Sequence, residues 1–167
     1  MLGAGLGVAP GESRYVALHQ AFLAHYEKAL CVNTTLFPGI DALISRLEAN
    51  NTPWGIITNK TQRFTLPLLD QLGYAKRANC IVSGDSSSRA KPAAHPMRLA
   101  SALIAREPRQ CLYVGDDLRD MQAGQTVGMT TVAVRYGYLG DGVPIDAWGA
   151  DHILDSADDI AALAGMA

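Results

Sequence analysis

The run Leu112-Tyr113-Val114-Gly115-Asp116-Asp117-Leu118-Arg119-Asp120 decides how the rest of this chain is read. Cys111 to Val114 is a short apolar stretch rich in residues that favour extended backbone, so it reads as a buried strand, and Gly115 lets the chain turn sharply out of it. Three carboxylates follow at once. If Asp117 opens a helix, Asp116 and Asp120 stand four apart and lean toward one side, around the mouth of the strand. In open α/β sheets ligands bind at the carboxyl ends of strands. Carboxylates packed this tightly repel one another, and a hard divalent cation with oxygen ligands, Mg²⁺ first, relieves the repulsion. Asp also favours helix N-caps, and acids in a first turn complement the helix dipole. Capping accounts for one or two of the three; all three directly after a strand point to a metal or a phosphate.

The chain has 167 residues, 49% of them apolar, and a formal net charge of −2. That length suits one domain with a small appendage and allows a substantial core. The 14 Lys and Arg are scattered and outnumbered by 16 acids, which argues against a nucleic-acid surface. Cys31, Cys80 and Cys111 lie far apart without CxxC spacing, which suits buried thiols in a reducing compartment. No run has the length of a membrane span and no basic segment marks a signal peptide. A cytoplasmic protein is the expectation.

Upstream, Leu2-Gly3-Ala4-Gly5-Leu6-Gly7 has the glycines of a dinucleotide loop but no strand before it, so it reads as a turn. Glu12 to Leu30 carries Tyr15, Leu18, Phe22, Tyr26 and Ala29 on one helical face, with His19 and His25 lacking ligand partners. Phe37-Pro38-Gly39 breaks the chain before a second helix, Ile40 to Leu47, that stops at Asn50-Asn51. Pro53 to Thr58 reads as a strand. Thr58-Asn59-Lys60-Thr61 follows it with a hydroxyl and several N–H groups, which suits a phosphate oxygen or an ordinary cap. A helix over 61–72, a strand at Cys80-Ile81-Val82-Ser83 and a polar loop to Lys91-Pro92 come next. Lys91 at a strand exit neutralises carboxylates and phosphate together, or simply solvates a surface. A helix from Pro96 to about Arg106 leads back to Cys111. Beyond the acidic run, a helix ends near Gly128. Met129 to Val134 alternates as a strand, Tyr136 to Gly142 is a loop, Trp148 to Leu154 contains a last strand and Ser156 to Ala164 a last helix. From residue 53 strand and helix alternate, which predicts an α/β, doubly wound, Rossmann-like parallel sheet. The pair of helices ahead of it reads as a separate helical piece.

Taken together, strand-Thr58-Asn59-Lys60, then Lys91-Pro92, then strand-Gly115-Asp116-Asp117-Leu118-Arg119-Asp120 resembles three of the four motifs of the haloacid dehalogenase-like phosphatases, in the right order. Within that superfamily, Thr58-Asn59-Lys60, Gly115 to Gly128 and Tyr136-Gly137-Tyr138 look most like the phosphoglycolate phosphatase branch, including its N-acetylmuramic acid 6-phosphate phosphatase relatives. The resemblance implies a Mg²⁺-dependent hydrolase of a small phosphorylated metabolite. It implies that Thr58 binds the transferring phosphoryl group with help from the Asn59 backbone, and that Lys91 holds nucleophile and phosphate together. Asp116 would ligate Mg²⁺, with Asp120 in the metal shell and Asp117 at a position the family fills variably. The implied division is a partial helical cap over 1–36 and an α/β core over 37–167.

The family's first motif is a strand ending in Asp-x-Asp-Gly-Thr, whose first Asp attacks phosphorus. No Asp-x-Asp occurs in this sequence. The expectation is therefore an N-terminally truncated form with little or no activity alone, lacking the first core strand and the first cap helices. In this family that strand lies between the strands near residues 54 and 111. Two apolar edges would be left unpaired, each buried unsatisfied group costing roughly 1–3 kcal/mol, and such edges invite pairing with another copy of the chain. A receiver-like signalling domain is the first competing reading, but it expects its acidic pair before Thr and Lys, the reverse of this order. A degenerate, non-catalytic relative acting as a binding protein is the second.

Overall fold

The computed structural model describes residues 5, 7–140 and 142–165, and the chain divides after Thr34 into two compact units. The glycine-rich turn expected at 2–7 lies largely outside the described residues.

In the first unit, α1 spans Tyr15–Lys28. Its Tyr15–His19 and Phe22–Tyr26 pairs stack along one side, with centroids 5.7 and 6.1 Å apart. No residue of α1 is buried. Apolar spacing specifies a face, and only a partner surface buries it. His19 and His25 are exposed.

The second unit alternates strand and helix, and every ladder in it is parallel. Its elements are α2 (Ile40–Ala49), β1 (Gly55–Ile57), α3 (Gln62–Gln71), β2 (Cys80–Val82) and α4 (His95–Leu103). Then come β3 (Leu112–Gly115), α5 (Leu118–Val127), β4 (Thr130–Val134), β5 (His152–Leu154) and α6 (Ala157–Leu163). Local chemistry sets several boundaries. Asp117 caps α5 by accepting from Arg119 N–H at 2.8 Å, and Ser156 with Asp159 forms a reciprocal capping box at α6. Thr61 precedes α3 without capping it; Asp85, 23 residues on, accepts from Gln62 N–H at 2.8 Å instead.

The strands form two sheets, β1-β2 and β3-β4-β5, so the doubly wound sheet is interrupted between β1 and β3. β4 is central in the larger sheet and nearly all buried. On one face Val132 and Val134 pack with Leu43 of α2 and Ala157, Ile160 and Ala161 of α6. On another, Met97 of α4 and Ala123 of α5 pack with Tyr113 and Met129. Thus α2 belongs to the α/β unit, where its apolar stripe has a sheet to cover. A polar clamp fixes its outer side. Tyr74 Oη donates to Asp41 at 2.6 Å, and the Arg77 fork grips Glu48 at 3.0 and 2.9 Å.

Within the larger sheet, buried Thr131 gives both its N–H and its hydroxyl to Asp151, at 2.7 and 2.8 Å. That joins β4 to the turn before β5. Among the described residues no helix is long and apolar enough to cross a membrane.

Candidate active site

The carboxyl ends of β1, β2 and β3 meet in one polar region, because parallel strands discharge their following loops on the same side. Thr58 extends β1, its N–H donating to Val82 O at 2.9 Å. Its Oγ1 accepts from Lys60 N–H at 3.1 Å, which leaves the hydroxyl proton available to a ligand. Gly84 packs against this turn so closely that a Cβ there would sit 2.2 Å from Asn59 O. Only glycine fits.

Asn59 has a use the sequence reading did not assign. Its side-chain amide donates to Lys91 O at 3.0 Å and its Oδ1 accepts from Lys91 N–H at 2.9 Å. This two-point clamp holds together loops separated by 32 residues. The Lys91–Pro92 bond is cis.

Lys91 then reaches inward. Its Nζ lies 2.6 Å from Asp120 Oδ1, 3.0 Å from Tyr113 Oη and 3.2 Å from Ile57 O, the last carbonyl of β1. The side chains of Lys91 and Asp120 are 11% and 7% exposed, so this ion pair is shielded from water. Tyr113 completes the knot by donating to Asp120 Oδ1 at 3.2 Å. Burial pushes its phenol far above the ordinary range, and the charge of Asp120 pushes it further. Sequence reasoning missed Tyr113, since a tyrosine in an apolar strand reads as core.

Asp116 and Asp117 part company at the first turn of α5. Asp116 Oδ2 accepts from Tyr138 N–H at 2.8 Å. Gly137 presses on the same carboxylate, with a Cβ there falling 2.1 Å from that of Asp116. Phe37 meets Tyr136 edge-on and Tyr138 at a tilt, with ring centroids 5.4 and 5.6 Å away, which buttresses the loop. Asp117 instead caps the helix and pairs with Arg119 at 2.5 Å, and the Arg119 hydrogen bonds hold its carboxyl down to about 2. Lys91 contributes to that lowering, and the charge of Asp116 reaches Tyr113, so all these groups share one electrostatic neighbourhood.

The donor chemistry is oxygen only, which suits a hard cation. Among the described residues no group of three His, Cys, Asp or Glu converges as a metal cage. Mg²⁺ asks for less, one or two carboxylates with water and phosphate oxygens completing its shell. Asp116 fits that role; Asp120 stands behind it, engaged with Lys91, and Asp117 is engaged with Arg119.

Residues 8–134 match the haloacid dehalogenase-like hydrolases. The chain is 36% identical over 155 residues to the N-acetylmuramic acid 6-phosphate phosphatase of Pseudomonas putida, across 93% of this chain and 70% of that protein. It is 39% identical over 140 residues to the phosphoglycolate phosphatase of Xanthomonas campestris pv. campestris, covering 83% of this chain and 63% of that one. The crystal structure of a predicted phosphoglycolate phosphatase from Haemophilus somnus superposes with a TM-score of 0.86 at 25% identity, over 96% of this chain and 71% of that one. With the Thr58, Lys91 and Asp116–Asp120 loops gathered at the carboxyl ends of parallel strands, and a match running from the first unit through β4, the chain belongs to the haloacid dehalogenase-like hydrolase family.

Proposed function

We propose that this chain carries the phosphate-gripping and charge-balancing part of a phosphomonoester hydrolase of the phosphoglycolate phosphatase type, acting on a small phosphorylated metabolite in the cytoplasm. The observation that carries this reading is Lys91, a buried cation fixed at once to the end of β1, to Tyr113 and to Asp120. Phosphoryl transfer needs little covalent chemistry from the protein and much positioning and charge neutralisation. Thr58 offers a hydroxyl to a phosphoryl oxygen and Asn59 holds the Thr58 and Lys91 loops in register. Lys91 faces the phosphate, and Asp120 with Tyr113 keeps the ammonium aimed. Asp116, held by Tyr138 N–H, ligates Mg²⁺, which when bound neutralises charge on the transferring group. Three free cysteines agree with a reducing compartment.

No Asp-x-Asp pair occurs in the sequence, so these residues include no counterpart of the attacking carboxylate, and the chain alone has little or no turnover. The purified chain is assayed with Mg²⁺ and phosphoglycolate, and separately titrated with inorganic phosphate and Mg²⁺ by calorimetry. The expected result is phosphate binding, weakened about tenfold by Thr58→Ala, without turnover. Turnover abolished by Asp116→Asn overturns the inactivity; absence of any phosphate binding overturns the site.

A further inference from the structure

Two short motifs that lie far apart in the chain, Phe37-Pro38-Gly39 and Tyr136-Gly137-Tyr138, meet beside Asp116. We propose that Phe37 is a positioning residue for the divalent cation: its ring fixes Tyr138, and the Tyr138 N–H in turn fixes the Asp116 carboxylate. The inference rests on the reading of Asp116 as the Mg²⁺ ligand.

The donor to Asp116 is the pliable part of the arrangement. Tyr138 N–H belongs to the peptide unit that Gly137 begins, and glycine leaves such a unit freer to rotate than any other residue does. A stiffer residue does not fit there, since a Cβ at 137 would fall 2.1 Å from that of Asp116. Tyr136 and Leu139 anchor the loop on either side, one against Val132, Val134 and Ala157 and the other against Met121, Ala133 and Trp148. Between these anchors the Tyr138 side chain is left to set the plane of the peptide. Its ring is 83% exposed and has no place in the core. The ring it meets is Phe37, with centroids 5.6 Å apart and planes tilted by 53°.

Phe37 suits the task because it is itself held. Preceding a proline, its backbone is biased to extended conformations. Its carbonyl accepts from Ile40 N–H at 3.2 Å, which ties it to the first turn of α2. Its ring also meets Tyr136 at 5.4 Å with planes 61° apart. The support therefore passes from α2 through Phe37 to Tyr138 and ends on Asp116 Oδ2, at 2.8 Å. A carboxylate steered through one oxygen presents the other in a fixed direction, and Asp116 Oδ1 accepts no hydrogen bond from the described residues. Mg²⁺ demands near-octahedral geometry, so a ligand oxygen that wanders loses affinity. An aromatic pair shifts an equilibrium by roughly two- to tenfold, which is readable in metal affinity.

Backbone NMR of the purified chain reads amide exchange without metal. Mn²⁺, a paramagnetic stand-in for Mg²⁺, then reads the cation site by line broadening at residues 115–117. Phe37→Leu keeps an apolar side chain and removes the ring. Tyr138→Ala removes the other ring of the same contact while keeping the N–H, and losing an exposed ring leaves the core intact. Each variant is expected to speed Tyr138 exchange about two- to tenfold and to raise the Mn²⁺ concentration for half-broadening by a similar factor. The Arg135 amide, bonded to Leu154 O, and the Thr131 amide, bonded to Asp151, keep their rates, which general loosening of the fold would change. Phe37→Tyr keeps the ring and behaves as the unaltered chain. The two ring deletions together cost no more than either alone, since they break one contact. Unchanged Tyr138 exchange, additive losses, or broadening indifferent to both variants overturns the role of Phe37. Broadening absent from residues 115–117 in the unaltered chain overturns the metal reading of Asp116, and the proposal with it.

Discussion

Replacing Lys91 by methionine tests the arrangement around which the site is built. The Lys91–Asp120 pair lies at 2.6 Å with side chains 11% and 7% exposed, and Tyr113 donates to the same Asp120 oxygen. Methionine keeps the length and removes the charge, stranding a buried carboxylate with only the phenol as donor. Breaking a buried pair from one side costs about 3–5 kcal/mol, because the remaining charge has neither water nor partner. For a chain of this size each kcal/mol moves Tm by about 2–4 °C, so the expected fall is roughly 6–20 °C. Lys91→Met with Asp120→Leu removes both charges and recovers most of that loss. The Tyr113 hydroxyl and the Ile57 carbonyl then lose their partners, the hydroxyl at about 1–3 kcal/mol, and Tyr113→Phe on that background relieves the hydroxyl's share. Far-UV circular dichroism during thermal and urea unfolding measures all three. A shift under about 2 °C for Lys91→Met, or a double variant no more stable than the single one, refutes the reasoning, since the loss would then be solvation or packing.

Other outcomes follow from separate contacts. Gly84→Ala places a methyl 2.2 Å from Asn59 O, and a backbone atom cannot swing aside as a side chain does; the Thr58–Asn59 turn shifts and stability falls by about 1–3 kcal/mol, read by urea midpoint and by amide shifts of residues 58–60. Asp151→Ala strands the N–H and hydroxyl of buried Thr131, costing about 1–3 kcal/mol for each buried donor left unsatisfied, while Asp151→Asn keeps one acceptor and costs less in the same melt. Arg119→Gln releases Asp117. Its folded carboxyl sits at about 2, below the ordinary value of 3.8, so its contribution is complete above about pH 4 and is lost as pH falls toward 2. In the variant the titration moves up toward the ordinary range, seen by carboxyl carbon NMR, with only a small stability change because the pair is solvent-screened.

How much of this was legible beforehand depends on whether a residue's job is local or comes from across the chain. Thr58, Lys91, Asp116 and Asp120 are readable because each follows an apolar run that has to end at the same rim of a parallel sheet. Asp117 is readable only as an ambiguity, since a cap and a ligand ask for the same residue at the same place, and the structure gives it the cap and Arg119. Tyr113 and Asn59 were beyond reach. Their partners are 22 and 32 residues away in sequence, and nothing in a tyrosine within a strand or an asparagine after one tells which loop it will meet. The same limit applies to α2, whose apolar stripe shows that it must cover something without showing what. The interrupted sheet lies between these cases. Apolar runs on both sides of the break, at β1 and β3, are sequence facts, and strands apolar on both faces belong in the middle of a parallel sheet. Finding Leu112 and Gly55 exposed there therefore sets local environment against local sequence at both edges of the break.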